Sequence, residues 1–318
     1  MFRLLEAAIV IVLSFPLAVL PYKGALKAGE ILGLFFFHAW AGRRKIAVGN
    51  IERAIQSGAL AVPELSSPED PHPQKSEDFS GATVAAAEIA KESFINLGKS
   101  FIEVIRIYFG FGDALIDGVV IRGTEHFRKA KEQGRGIIII TGHCGNWELM
   151  ALAFGVKVAH ASVVARAQDN PYLNRMIGKV RARHGNSIIY KKGALKGILS
   201  CLKKEGVVGI LMDQAVVKEE GFVIDFLGRG AWTTKMPALI ARKTGAPVVP
   251  VFINREGASH VITIHPEVEL RREEGTEALK EDTQRLSSHV EECIRQHPSE
   301  WLWIHRRWKR VEQRMKDE

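Results

Sequence analysis

The rhythm of hydrophobic and polar positions changes near residue 118. Upstream, apolar residues come in unbroken blocks or at helical spacing. Residues 7–20 are almost wholly apolar and residues 31–40 form a second block. Segments 41–60 and 82–109 follow with helical periodicity, and in the latter Ile89, Phe94, Leu97, Phe101, Val104, Ile105 and Tyr108 mark one face of a long amphipathic helix. Downstream, short apolar runs alternate with amphipathic stretches. Strands are predicted at 119–122, 136–141, 161–165, 187–190, 207–212, 247–254 and 260–264. Helices are predicted at 124–132, 146–155, 171–183, 193–204, 234–244 and 276–296. This alternation predicts an α/β fold with a mixed, largely parallel central sheet flanked by helices. Ligands of such sheets gather at the carboxyl ends of the strands. His143, Arg166 and Asp213 each lie one or two residues past a predicted strand, so one edge should carry all three.

Three regions are expected: an N-terminal apolar and basic helical region (1–61), a loop (62–81) holding four of the twelve prolines, and an α/β domain (82–318). The N-terminal apolar block has no small-x-small cleavage site after it, only Pro21-Tyr22-Lys23-Gly24. It is short for a span, which needs ~20 apolar residues, and it contains Pro16. A pair of buried helices would account for the two blocks. A membrane-associating segment is the reading preferred, with Lys23, Lys27, Arg43, Arg44 and Lys45 at headgroup level; spanning and interfacial attachment both stay open.

Composition changes the picture little: 318 residues with 46% hydrophobic and 25% charged is ordinary for a globular protein. The charge is more telling. A net +8 suggests an anionic partner: nucleic acid, anionic lipid or an acidic carrier protein. Nucleic acid is disfavoured, because the basic residues are spread along the chain and no binding motif appears. The three cysteines, Cys144, Cys201 and Cys293, fit a reducing compartment.

The candidate chemistry sits in Thr141-Gly142-His143-Cys144-Gly145-Asn146-Trp147-Glu148, directly after an apolar run. On a straight helix five residues turn the chain by roughly 500°, leaving His143 and Glu148 about 140° apart. They meet only if the chain bends, and Gly142 and Gly145 permit a strand–turn–helix bend with Asn146 as N-cap. Glu148 could then orient His143 as a base that activates a nucleophile. Cys144 as the nucleophile and a His143–Glu148 metal site are weaker readings. Neighbours in sequence rarely aim at one atom, and no third ligand stands at a recognisable spacing.

The box Gly142-His143-Cys144-Gly145-Asn146-Trp147-Glu148-Leu149 resembles the His-x4-Asp/Glu box of glycerolipid acyltransferases, in the form found in the lipid A biosynthesis (lauroyl/myristoyl) acyltransferases. Further blocks are similar to that family: Val164-Ala165-Arg166 with Asn170-Pro171, Arg181 and Gly185; Gly209-Ile210-Leu211-Met212-Asp213-Gln214 with Phe226-Leu227-Gly228-Arg229; Ala241 to Pro250; and Pro298-Ser299-Glu300-Trp301 through Lys309. The resemblance implies a membrane-associated O-acyltransferase at the cytoplasmic face of a bacterial inner membrane. It implies acyl-acyl carrier protein as donor and partner, and a Kdo-bearing lipid A precursor as anionic glycolipid acceptor. No cofactor is implied beyond the acyl co-substrate.

Within that chemistry His143 is expected to take the hydroxyl proton, with Glu148 raising and orienting it. Arg166, Arg181 or backbone N–H groups near Gly145 are candidates to hold the oxyanion or the acceptor's phosphate, and Asp213 to fix one of the arginines. Asn146 is grouped with these substrate-binding candidates. The resemblance points to Arg181 and Asp213 as a further functional pair. Alternatives are an acyl-CoA-dependent enzyme acting on another glycolipid or a lysophospholipid, and a membrane-anchored scaffold without activity.

Overall fold

The computed structural model describes residues 2–61, 81–271 and 273–317. The expected proline-rich loop lies outside the described residues except at Gly81, which opens a helix. Among the described residues nine strands form: β1 (Val120–Arg122), β2 (Ile137–Thr141), β3 (Ala161–Ala165), β4 (Ser187–Tyr190), β5 (Val207–Leu211), β6 (Gly221–Phe226), β7 (Arg229–Thr234), β8 (Val248–Glu256) and β9 (Ser259–Ile264). Seven make one sheet in the order β1-β9-β8-β2-β5-β3-β4. Within it β2, β3, β4, β5 and β8 run parallel, while β9 turns back against β8 and pairs in parallel with β1.

The helices are α1 (Phe2–Val19), α2 (Tyr22–Ala39), α3 (Ala41–Gln56), α4 (Gly81–Tyr108), α5 (Asp113–Asp117), α6 (Thr124–Lys131), α7 (Trp147–Lys157), α8 (Pro171–Arg183), α9 (Ala194–Lys203), α10 (Met236–Thr244), α11 (Thr276–Gln296) and α12 (Lys309–Asp317). Strand β2 explains the layering. All five of its residues are buried, and alternate side chains enter opposite layers. Ile138 and Ile140 join a core built with α3, α9, α10, α11 and the first half of α4. Ile137 and Ile139 join a second core with α6 and α7.

The β6–β7 hairpin is absent from the sequence expectations for a local reason. Its two-residue turn is Leu227-Gly228, and both residues have positive φ, +53° and +75°. Such turns normally advertise themselves as Asn-Gly or Asp-Gly. Here leucine takes the first place, where its side chain is fully buried. Burial compensates a backbone conformation leucine otherwise avoids.

The apolar N-terminus folds as two helices. Among the described residues no helix is long and apolar enough to cross a membrane. Helix α2 lies against α4 backbone to backbone, because glycines face each other there. A Cβ on Gly33 would stand 2.3 Å from the Phe94 carbonyl oxygen, and one on Gly98 would stand 2.2 Å from that of Gly29. Neither neighbour can yield, since both are backbone. Gly33→Val is therefore expected to cost roughly 2–3 kcal/mol or more, read as a lower urea midpoint; an unchanged midpoint would contradict this packing. Helix α1 keeps much apolar surface in solvent: Val12, Leu13 and Phe15 are exposed, Leu13 by 71%.

Candidate active site

The carboxyl ends of β2, β5 and β3 lie side by side, as the three-residue grouping requires. Register does the rest. Thr141 pairs with Leu211, so His143 and Asp213, each two residues further on, arrive together. The chain can turn at His143 because Gly145 has φ +55°, and a Cβ there would fall 2.4 Å from the Ile253 carbonyl oxygen. Asn146 then caps α7, its side-chain oxygen accepting the Leu149 N–H at 3.1 Å.

The partners of the histidine and of the arginine differ from expectation. Asp213, not Glu148, orients His143: Oδ1 lies 2.8 Å from Nδ1, Oδ2 accepts the His143 backbone N–H at 2.9 Å, and the Trp301 indole N–H donates to Oδ2 at 2.8 Å. Glu148 pairs instead with Arg181, whose Nη2 donates to both carboxylate oxygens at 2.6 and 2.9 Å. The two carboxylates have exchanged assigned partners. The five-residue spacing explains why: α7 starts at Trp147 and carries Glu148 into its first turn, toward α8.

Electrostatics follow from these contacts. Burial disfavours the His143 imidazolium, but the Asp213 carboxylate, and more distantly Glu148, outweigh it and raise the imidazole above its ordinary value. Burial would raise Asp213 too, yet the charge and hydrogen bonds of His143, with the Trp301 indole, hold it well below the usual carboxylate range. Ionised Asp213 accepts the Nδ1 proton, which leaves Nε2 as the basic atom. Gln214 Nε2 stands 3.1 Å from it, a contact the sequence reading passed over although Gln214 directly follows Asp213.

A cavity of about 580 Å³ opens beside this nitrogen. His143, Glu148, Arg166, Arg181, Lys191 and Gln214 line it among others, while Ile139, Met150, Phe154, Val163, Leu211 and Val251 give it apolar walls. Arg181 is mostly buried and stays charged: burial works against it, Glu148 for it. Arg166 is a solvated rim residue, 80% exposed and paired with Asp169. The Asn146 side chain is already engaged, its amide nitrogen donating to Glu103 and the Ser100 carbonyl and its oxygen capping the helix, and so is not free for a substrate as expected. Among the described residues no group of three or more His, Cys, Asp or Glu is placed to hold a metal.

Cys144 is no nucleophile in this arrangement. It is buried, bridges to Trp301, and its thiol is raised well above its ordinary value, first by hydrogen bonding with Cys293 and then by burial. The tryptophan-rich C-terminus is core, not an interfacial surface. Trp301, Trp303 and Trp308 are buried, and so is Arg307 beneath Phe226.

The same segment braces the turn. Glu300 offers its carbonyl to the Gly145 N–H at 2.9 Å, and both its side-chain oxygens accept the Arg255 N–H. Burial pushes its carboxyl from 4.5 up to about 7, against the pull of Arg255. The folded state thus holds this proton more tightly than the unfolded chain, so stability falls as pH rises from the lower value to the upper. Glu300→Gln removes that fall. Its unfolding temperature should exceed that of the unsubstituted protein at pH 8, by the equivalent of roughly 1–3 kcal/mol, and the gap should close on acidification. A gap independent of pH would count against the assignment.

The imidazole of His143 thus stands beside an apolar-walled cavity. The family model described as bacterial lipid A biosynthesis acyltransferase matches residues 81–310. The chain belongs to this family. It is therefore an acyltransferase, and the matched range contains the sheet, His143 and all its partners. Curated relatives include the lipid A biosynthesis lauroyltransferase of Escherichia coli K12, 28% identical over 91% of this chain and 87% of its own length. The lipid A biosynthesis palmitoleoyltransferase of the same strain is 25% identical over 69% and 70%. A phosphatidylinositol mannoside acyltransferase of Mycolicibacterium smegmatis is 23% identical over 58% and 60%.

Proposed function

We propose that this acyltransferase moves a fatty acyl chain from acyl-acyl carrier protein to a hydroxyl of a Kdo-bearing lipid A precursor, at the cytoplasmic face of a bacterial inner membrane. The observation that carries the reading is the basic nitrogen of His143 at an apolar-walled cavity that also holds Arg181. His143 Nε2 takes the acceptor's hydroxyl proton as the oxygen attacks the thioester carbonyl. The tetrahedral oxyanion collapses, the C–S bond breaks, and His143 returns the proton to the departing thiolate. Gln214 must leave Nε2 for the hydroxyl to reach it. Arg181 is the mostly buried one of the cationic side chains that line the cavity and serves as donor to the oxyanion or an acceptor phosphate, with Glu148 holding it there.

The membrane reading is supported by the exposed apolar faces of the first two helices. Val12, Leu13 and Phe15 of α1, with Ile31, Phe35 and Phe36 of α2 and Trp40 just beyond it, stand in solvent. Lys23, Lys27, Arg43, Arg44 and Lys45 lie on or next to the same helices. Such a surface suits an interfacial anchor. The net charge of +8 suits both an acidic carrier protein and a phosphorylated glycolipid.

A second reading is acyl-CoA-dependent transfer to another glycolipid or a lysophospholipid; the similarity to a phosphatidylinositol mannoside acyltransferase supports its glycolipid acceptor alone. Purified protein in anionic vesicles, offered a panel of acyl-carrier-protein and acyl-CoA donors with several acceptors in competition, separates the two. The first reading expects carrier-protein donors and the lipid A precursor to dominate. Preference for a lysophospholipid or for acyl-CoA would replace it with the second.

A further inference from the structure

Glu103 sits near the C-terminal end of α4, outside the cavity, with a side chain 1% exposed. Donors surround its carboxylate. Oε1 accepts from the Tyr22 hydroxyl and Arg255 Nη1, each at 2.8 Å. Oε2 accepts from Arg255 Nη2 and Asn146 Nδ2, each at 2.9 Å, and His260 Nε2 stands 3.1 Å from both oxygens. Burial opposes this charge, but His260 and Arg255 hold the group ionised. A buried carboxylate is costly, and here its donors offset that cost, with the Arg255 guanidinium, 9% exposed, supplying the opposite charge.

Two of them lead to the catalytic turn. Asn146 lies between His143 and Glu148; with its Nδ2 on Glu103, its oxygen faces the first turn of α7 and sets where Glu148 begins. Arg255, gripped at its guanidinium by Glu103, presents its backbone N–H to Glu300, whose carbonyl receives the Gly145 N–H. Gly145 and Asn146 are thus both tied back to one carboxylate. A third donor, Tyr22, is the first residue of α2.

We propose that Glu103 is a positioning residue for acyl transfer: through Asn146 and through Arg255 it fixes the turn that carries His143 and Glu148. The inference rests on the reading of His143 as the base. Glu103→Gln keeps the shape but turns an amide toward this ring of donors. Because misplacement by about 1 Å costs around 10²-fold in rate, kcat should fall about 10- to 100-fold, with KM for the acyl donor within about twofold. Asn146→Ser, which keeps an oxygen to cap α7 but has no Nδ2 to donate to Glu103, should also lower kcat, and the double variant should fall no further than Glu103→Gln alone, since that variant already cuts the Asn146 link.

A control exists in Asp282, equally buried and paired with Arg242 between α10 and α11, away from the turn. Asp282→Asn should lower the unfolding temperature and leave kcat alone. If Glu103→Gln also lost only thermal stability, with kcat unchanged, the proposal would be overturned and the cluster would be structural. If Glu103→Gln does not fold, Asn146→Ser decides, because it keeps a cap oxygen and removes only the donor to Glu103: unchanged kcat overturns the proposal, and reduced kcat at constant KM supports it. Activity retained in His143→Ala would instead remove the base assignment beneath it, so the two failures are distinguishable.

Discussion

His143→Ala is expected to lower acyl transfer by on the order of 10³-fold or more while leaving the fold and vesicle binding intact. A general base contributes about 10²–10⁴-fold, and in the proposed reaction one imidazole serves both halves, taking the hydroxyl proton and returning it to the thiolate. Among the described residues lining the cavity, no second imidazole stands ready to substitute, and Cys144 is buried behind the turn with its thiol held protonated. His143 also partners the buried Asp213 carboxylate, so its loss should lower the melting temperature somewhat, while the fall in turnover far exceeds what that loss of stability explains. Turnover within tenfold of the unsubstituted protein would place the base elsewhere.

Asp213→Asn should cost on the order of 10³–10⁴-fold, the loss seen when a base loses the carboxylate that sets its tautomer. Its pH signature separates it from Glu148→Gln. The active imidazole is neutral, so the acid limb of the rate profile follows its pKa. That value is raised chiefly by Asp213 and less by Glu148, against burial. Removing Asp213's charge while burial persists moves the limb to lower pH. Glu148→Gln should move it in the same direction by less, and its main effect should come through the released Arg181. A larger displacement from Glu148→Gln would mean that Glu148 is the histidine's true partner.

Much of this fold was legible in local pattern. The bounds of β3, β4, α8 and α11 coincide with those predicted, because periodicity, Asn170 before Pro171, and flanking glycines mark them in the sequence itself. The β6–β7 hairpin was not legible, since a buried leucine replaces the usual turn residues. At the site, the sheet edge that gathers His143 and Asp213 could be foreseen from strand ends alone. Their pairing could not. It depends on the adjacency of β2 and β5 and on a register that brings residues seventy positions apart together. Proximity in sequence favoured Glu148, but the first turn of α7 sends it to Arg181. Asn146 was rightly placed as a cap, which holds its oxygen, while Glu103, far away in sequence, holds its amide nitrogen.

The central claim, a His143-dependent acyl transfer to the lipid A precursor, is tested most directly by the mass of the lipid product. Purified protein in anionic vesicles would be given acyl-acyl carrier protein and a Kdo-bearing precursor, beside His143→Ala under identical conditions. The account predicts one added acyl chain on the precursor with the unsubstituted protein and almost none with the variant. An equal yield from both proteins, or acyl chains appearing only on another lipid, would contradict it.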